Sequence, residues 1–430
     1  MKSRREFMKL TGITGLGLAG GLSAGLGTSS TNNAQAASHL VGAKGAMADN
    51  TSSLLGAYGK WAASLTENKL PSLSFRNKEF TNVTSWKERA RKQLSDRLAI
   101  PDLGALPVVK VNKQYSYDGL HIEELTWQLP YGPATDAIIL KPLNAKGKLP
   151  GILAFHDHGG LKYFGTKKIT RTADKLHPII EDHQKRAYGN MAWANEVAKR
   201  GYVVLVSDTF PFASRRILLK DVQPVEWRGG LSDQDNDSPK YVEAYNDWAY
   251  NHEHVISKSL FSAGTTWPGV FFAEDKKALD ILCNRPDVDA NNIGCGGLSG
   301  GGMRTVFMAG QDDRIKCAVC VGFMTTWRDF VLNRAPNHTW MTYVPLLPNE
   351  MDFPEILGLR VPLPTLVMND TNDELYTLDE MKRADKILEE VYVKAGAKDR
   401  YKCSFYPGPH KFDKEMQADA FDWFDRWLKN

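Results

Sequence analysis

Cysteine is scarce in this chain: Cys283, Cys295, Cys317, Cys320 and Cys403 are the only five in 430 residues. They are an odd set lying largely in apolar segments, so they read as small core hydrophobes. Cys317-x-x-Cys320 sits inside the apolar run from Ile315 to Phe323 and has no second motif to pair with, which argues against a redox pair. An excess of one charge is lacking too. Of the formal net charge of +4, Lys2, Arg4, Arg5 and Lys9 against Glu6 supply +3, leaving the rest of the chain near neutrality. With no basic stripe and no long charge run, neither nucleic acid nor a membrane surface is an expected partner. A membrane-spanning run is also missing, because the apolar stretch from Leu10 to about Gly27 is short and glycine-rich and predicts no stable anchor. There is no internal repeat.

What the N-terminus does contain is an address. Ser3-Arg4-Arg5-Glu6-Phe7-Met8-Lys9 has the form of a twin-arginine export signal, followed by that mildly apolar stretch and by Ala34-Gln35-Ala36, a small-x-small cleavage site. These features predict a signal peptide over residues 1–36, the twin-arginine export machinery as partner of the precursor, and a periplasmic or secreted protein beginning at Ala37. No cysteine lies near the site, which argues against a lipoprotein.

Gly297-Leu298-Ser299-Gly300-Gly301 is a G-x-S-x-G pentapeptide. Such a turn lifts a serine off the end of a strand in a strained conformation that leaves no room for neighbouring side chains. The pattern alone is a weak signal, but its surroundings fit. Asn291 to Gly296 reads as a buried strand entering the turn, and Gly302 to Ala309 has the apolar spacing of a helix packed on a sheet.

A serine hydroxyl is nearly inert at neutral pH and needs a histidine to take its proton and a carboxylate to orient that histidine. Downstream, Leu363–Asn369 reads as a buried strand running into the polar loop Asp370-Thr371-Asn372-Asp373-Glu374-Leu375. Asp373 is the expected acid, Asp370 its rival, Glu374 a distant third. After a last strand, Tyr401–Tyr406, the turn Pro407-Gly408-Pro409-His410 brings the expected base, His410, ahead of the closing helix Lys414–Leu428. The oxyanion of an acyl-transfer reaction needs preorganised N–H donors. Gly300 is expected to supply one. The other is expected at Gly160 or Leu161, where the apolar strand Gly151–Phe155 runs into His156-Asp157-His158-Gly159-Gly160.

These segments, with Asp287–Gly294 leading into the pentapeptide and Gly408-Pro409-His410-Lys411-Phe412 near the end, resemble the dienelactone hydrolase-like and acetyl xylan esterase-like branch of the α/β-hydrolases. The resemblance spans roughly residues 75–430. It implies an α/β-hydrolase fold, a doubly wound, mostly parallel sheet with helices on both faces and insertions over the active site. It also implies a serine carboxylesterase with Ser299, Asp373 and His410 at the matching positions. Dienelactone hydrolases proper carry a cysteine nucleophile; the serine here favours the esterase side. Together with export, this points to a small-molecule or oligosaccharide ester as substrate, such as acetylated or otherwise esterified carbohydrate, with aromatic or other small esters and lactones as the alternative.

Residues 37–110 read as an N-terminal helical arm whose clearest helix is Trp86–Leu94, and 111–430 as the catalytic domain. Strands are expected at Tyr115–Trp127, Asp136–Lys141 and Val203–Ser207, with helices at Ala187–Arg200 and Phe271–Cys283. An insertion at about 211–266, rich in Trp and Tyr, would follow a strand's carboxyl end and overhang the site. Trp227 and Trp248 from it, and Trp327 from a second loop at 325–357, are the expected substrate-binding aromatics. Other functions fit less well. His156-x-His158 and His252-x-His254 with Asp157 and Glu253 have the residue types of a metal site, but two such pairs do not converge without a fold to bring them together, so no metal or other cofactor is expected. A prolyl oligopeptidase-like peptidase would share the fold, but the N-terminal region is too short for the propeller such enzymes usually carry. A hydrolase-fold binding protein that has lost catalysis is disfavoured by the complete order of serine, acid and histidine.

Overall fold

The computed structural model describes residues 53–67, 69–223, 231 and 235–429. The expected export signal, the start of the expected arm and Trp227 lie outside them.

Among the described residues nine strands form one sheet: β1 (Lys110–Tyr117), β2 (Leu120–Trp127), β3 (Thr135–Pro142), β4 (Leu149–Phe155), β5 (Val203–Ser207), β6 (Val288–Leu298), β7 (Ile315–Val321), β8 (Thr365–Asp370) and β9 (Tyr401–Tyr406). Their order is β1-β2-β3-β5-β4-β6-β7-β8-β9. The first three pairings, out to β5, are antiparallel, and every later one is parallel.

Strands β4, β5 and β7 are apolar along nearly their whole length, so both faces must be covered. Ile152 and Ala154 of β4, Val204 and Val206 of β5, and Cys317, Val319 and Val321 of β7 belong to one apolar layer. Their neighbours Leu153, Phe155, Val203, Leu205, Ala318 and Cys320 belong to the other. That period of two is the pleat, and it places Cys295, Cys317 and Cys320 in the core. All five are free, and burial pushes the Cys295 thiol up to about 12, which leaves it protonated and inert.

The helices are α1 (Gly59–Glu67), α2 (Val83–Leu98), α3 (Pro178–Tyr188), α4 (Trp193–Lys199), α5 (Pro239–Asn251), α6 (Glu253–Ser262), α7 (Trp267–Cys283), α8 (Gly300–Gln311), α9 (Phe353–Gly358), α10 (Leu378–Lys394) and α11 (Lys414–Leu428). Helices α2, α7, α8, α9 and α10 pack on one face of the sheet, and α3, α4 and α11 on the other. Side-chain caps fix several starts: Asn82 accepts from Ser85 N, Thr266 from Gly269 N and Asp413 from Met416 N, each satisfying an amide that the helix itself cannot. Strands followed by crossover helices on both faces of a mostly parallel sheet make this an α/β-hydrolase fold.

Three expectations need correction. The single strand at Tyr115–Trp127 is a hairpin, β1 and β2, broken at Asp118-Gly119, whose φ values of 50° and 77° are those of a tight two-residue turn. The helix at Ala187–Arg200 is two helices: Gly189 and Asn190, at φ 61° and 63°, end α3 in the left-handed conformation that commonly terminates a helix. The insertion, expected as a loop over the site, contains α5 and α6 among its described residues.

Candidate functional site

Ser299 stands between β6 and α8 at φ 58° and ψ −117°. A non-glycine residue there carries strain of roughly 1–3 kcal/mol, which the surroundings must hold in place. Close packing of the glycines around it provides the restraint. A Cβ on Gly297 would lie 2.4 Å from Phe155 O, and one on Gly301 2.5 Å from the same atom, so only glycine lets the turn and the first residues of α8 pass over the end of β4. Behind the turn, Arg304 of α8 makes a two-pronged ion pair with Asp275 of α7 at 2.9 and 2.5 Å. Its guanidinium also lies 4.5 Å from the Phe155 ring. Ser299 itself is half-buried and lines a cavity of about 500 Å³.

His410 lines the same cavity. Its Nδ1 lies 2.7 Å from Asp373 Oδ2, and its Nε2 is buried without a hydrogen-bond partner among the described residues. That nitrogen is therefore the atom left to exchange a proton. Burial pulls the imidazole pKa down, but the hydrogen bond and charge of Asp373, helped by Asp370 and Glu374, outweigh it and raise the value above that of ordinary histidine. Asp373 also accepts Leu375 N–H at 2.9 Å. The rival carboxylate, Asp370, ends β8 and accepts the Lys411 amide at 3.0 Å; burial pushes it up to about 7. Glu374 is exposed on the loop.

The loop carrying Asp373 is clamped by the segment after β7. Asn337 Nδ2 donates to Glu374 O at 3.2 Å and His338 Nε2 to Leu375 O at 2.8 Å. Buried Asp329 accepts both the amide and the hydroxyl of Thr377, at 2.9 and 3.0 Å.

On the opposite side of the serine, the loop after β4 passes beside the start of α8. A Cβ on Gly300 would come within 2.9 Å of His158 N. The two amides suggested by the sequence on this loop are already engaged: Gly160 N–H donates to His158 Nδ1 at 3.1 Å and Leu161 N–H to His158 O at 3.0 Å. His158 N is the loop amide held against the nucleophile turn. Lys168, buried, fixes the loop from beneath by donating to Asp157 O and His158 O at 2.7 and 2.8 Å. Asp157 accepts His183 Nε2 at 3.1 Å and Tyr188 OH at 2.5 Å.

The rest of the cavity wall comes from residues the sequence did not single out: Met303, Phe323, Met341, Leu375 and Tyr376 supply apolar surface, and His183, Arg186, Tyr250, Thr339 and Thr342 polar surface. The Trp expectations do not hold for the two described residues. Trp248 is 2 % exposed and packs among Leu219, Tyr241 and Tyr245 inside the insertion. Trp327, 5 % exposed, lies against Phe353 with ring centres 3.9 Å apart and donates to Met351 O at 3.2 Å. Both lie outside the cavity lining because a tryptophan surrounded by apolar neighbours gains more from core burial than from facing water. Among the described residues of the insertion, Tyr250 is the aromatic at the cavity, 47 % exposed.

Among the described residues no three His, Cys, Asp or Glu side chains form a group able to hold a metal ion. The histidines of the two pairs are dispersed: His156 is buried with Nδ1 3.1 Å from Asp157 O, His158 pairs with Glu253 at 2.9 Å, His252 stacks on Trp248 and His254 contacts Asn251 O at 2.9 Å. No described helix is long and apolar enough to cross a membrane.

Comparison with known proteins agrees with this architecture. The prolyl oligopeptidase family model matches residues 263–430, a stretch that includes Ser299, Asp373 and His410. YtaP of Bacillus subtilis (strain 168), which carries a provisional hydrolase name, is 26 % identical over 342 residues, covering 79 % of this chain and 98 % of its own. Among solved structures, a Bacteroides fragilis protein provisionally described as an acetyl xylan esterase superposes with a TM-score of 0.61 at 18 % identity, covering 82 % of each chain. A glucuronoyl esterase from Solibacter usitatus superposes with a TM-score of 0.56 at 16 % identity, covering 84 % of this chain and 98 % of its own. Sheet order, helix placement and these likenesses agree on an α/β-hydrolase fold.

Proposed function

We propose that this chain is a serine carboxylesterase that works through an acyl-enzyme, with Ser299 as nucleophile, His410 as base and Asp373 as the group that orients it. The observation that carries the reading is the 2.7 Å pair of His410 Nδ1 and Asp373 Oδ2 in one cavity with a serine strained at φ 58°. Ser299 Oγ adds to the ester carbonyl carbon as its proton passes to His410 Nε2. The oxyanion is held by the N–H groups of Gly300, at the start of α8, and of His158; a fixed donor of this kind is worth about 10²–10³ in rate. Collapse expels the alcohol, which takes the proton from His410. A water activated by the same nitrogen then releases the acid and regenerates Ser299.

Acetylated or otherwise esterified carbohydrate is the proposed substrate class. It is supported by the esterase names of the similar structures and by a cavity that mixes apolar with hydroxyl, imidazole and guanidinium groups, of the size usual for small-molecule sites. The Arg4-Arg5 pair and Ala34-Gln35-Ala36 support export, and with it a proposed setting in the periplasm or outside the cell. The test is acetate release from acetylated xylo-oligosaccharides by the purified protein. Release supports the reading; turnover of aryl acetates without any release from the sugars would move the substrate to aromatic or other small esters.

The prolyl oligopeptidase match favours a second reading, a peptidase using the same three residues. Cleavage of prolyl or alanyl p-nitroanilides faster than of the matching p-nitrophenyl esters would establish it.

A further inference from the structure

Glu253, the first residue of α6, is a buried carboxylate outside the three residues of the proposed reaction, yet it meets the catalytic cavity from two sides. Its Oε1 accepts His158 Nε2 at 2.9 Å and the ammonium of Lys162. Its Oε2 accepts Thr339 Oγ1 at 2.6 Å and Trp340 N at 2.9 Å. Nδ1 of His158 accepts the Gly160 amide, which assigns the proton to Nε2, facing Glu253; the Lys162 ammonium also lies 3.0 Å from Nε2 and directs a proton to Glu253 Oε1. Burial opposes ionisation of Glu253, but the His158 hydrogen bond and the charge of Lys162 hold the carboxyl well below the usual carboxylate range. It is an anion with all its neighbours in place. The segment it grips on the far side contains Thr339, Met341 and Thr342, which line the cavity.

We infer that Glu253 is a positioning residue for the oxyanion site, holding the His158 side chain so that the His158 backbone N–H stays aimed beside Gly300. This rests on the reading of Ser299 as nucleophile. The insertion's contribution to the reaction is then structural support for the loop after β4. The loop carries two consecutive glycines at positive φ, Gly159 and Gly160, which give it conformational freedom. What removes that freedom is Lys168 beneath it and the His158–Glu253 link beside it. A hydrogen bond to the side chain of the residue that donates the amide constrains that amide more directly than any contact farther along the loop.

The test is the rate at which an alkyl fluorophosphonate phosphonylates Ser299, because that addition develops negative charge on a phosphoryl oxygen in the oxyanion site and requires no knowledge of the natural ester. Two variants are compared with wild type, Glu253→Gln and His158→Ala. The second keeps the backbone amide and leaves the Glu253–Lys162 pair intact, so it remains informative where the first fails to fold. Each folded variant is expected to react about 10- to 100-fold more slowly, short of the loss of a whole donor, and to lower kcat for p-nitrophenyl acetate similarly while KM moves less than about 3-fold, the pattern of an interaction made mainly in the transition state. Wild-type rates and kcat in folded His158→Ala would overturn the inference, as would a change confined to KM. A wild type that takes no label at Ser299 would instead overturn the serine reading beneath it.

Discussion

Gly322 has no side chain where His410 stands: a Cβ built on it would lie 2.8 Å from His410 Cε1 and 3.2 Å from Nδ1. The residue follows β7 at φ 57°, and its amide donates to Met368 O at 2.8 Å. Position and conformation both require glycine, because the strand end must turn left-handed while leaving room for the imidazole. Gly322→Ala should therefore lower kcat by displacing His410 from Asp373. It should also cost about 1–2 kcal/mol of stability from the left-handed backbone. Kinetics of the variant beside its thermal melt check this; unchanged kcat would show that the ring accommodates the methyl group.

Much of the site was legible because the chemistry is encoded in local segments. The nucleophile turn, the acid loop and the histidine turn each sit at the end of an apolar strand, and strand ends are where the period-two pattern and the glycine or aspartate signals coincide. β5, β9 and α11 fall at their expected residues for the same reason. The cavity walls were not legible. Met303, Met341 and Tyr376 look like core residues in any window of sequence, and only the crossing of α8, the 325–342 segment and the acid loop makes them a wall. Trp248 and Trp327 show the converse: an aromatic in a polar stretch can be the centre of a small local core. Glu253 stands out in sequence only beside the His252-x-His254 pair, and its role at the loop was not legible, since its partners are His158, 95 residues away, and Thr339, 86 residues away.

The pH profile follows from the electrostatics of His410. The base must be neutral to accept the serine proton, and its pKa is raised, so activity should fall as pH drops through a value above that of ordinary histidine. Asp370 is one of the charges that raise it. Asp370→Asn removes that charge while retaining an oxygen to accept the Lys411 amide, and should move the acid limb of kcat/KM to lower pH. Asp373→Asn should act differently, lowering kcat by roughly 10³–10⁴-fold through loss of the histidine's orientation. A kcat/KM profile of the two variants separates them; a larger rate loss in Asp370→Asn would make Asp370 the functional acid.

Trp327 belongs to the core, and its removal should be read in stability. With the indole packed on Phe353 and bonded to Met351 O, Trp327→Ala should destabilise the fold by about 3–5 kcal/mol. KM for a small ester should stay within about 2-fold of wild type, since the ring lies outside the cavity lining and removes no substrate contact. Met341→Ala should show the reverse pattern, a raised KM with a smaller stability loss. Denaturant titration alongside steady-state kinetics distinguishes them. A large KM effect confined to Trp327→Ala would return that residue to the substrate wall.

Ser299 as nucleophile is tested by peptide mass spectrometry after treatment with an alkyl fluorophosphonate. One adduct is expected on the Ser299 peptide of the wild-type protein, with ester hydrolysis lost in step with labelling. Ser299→Ala should take no label and show no turnover. Label on another residue, or an unlabelled wild-type protein that still hydrolyses esters, would contradict the account.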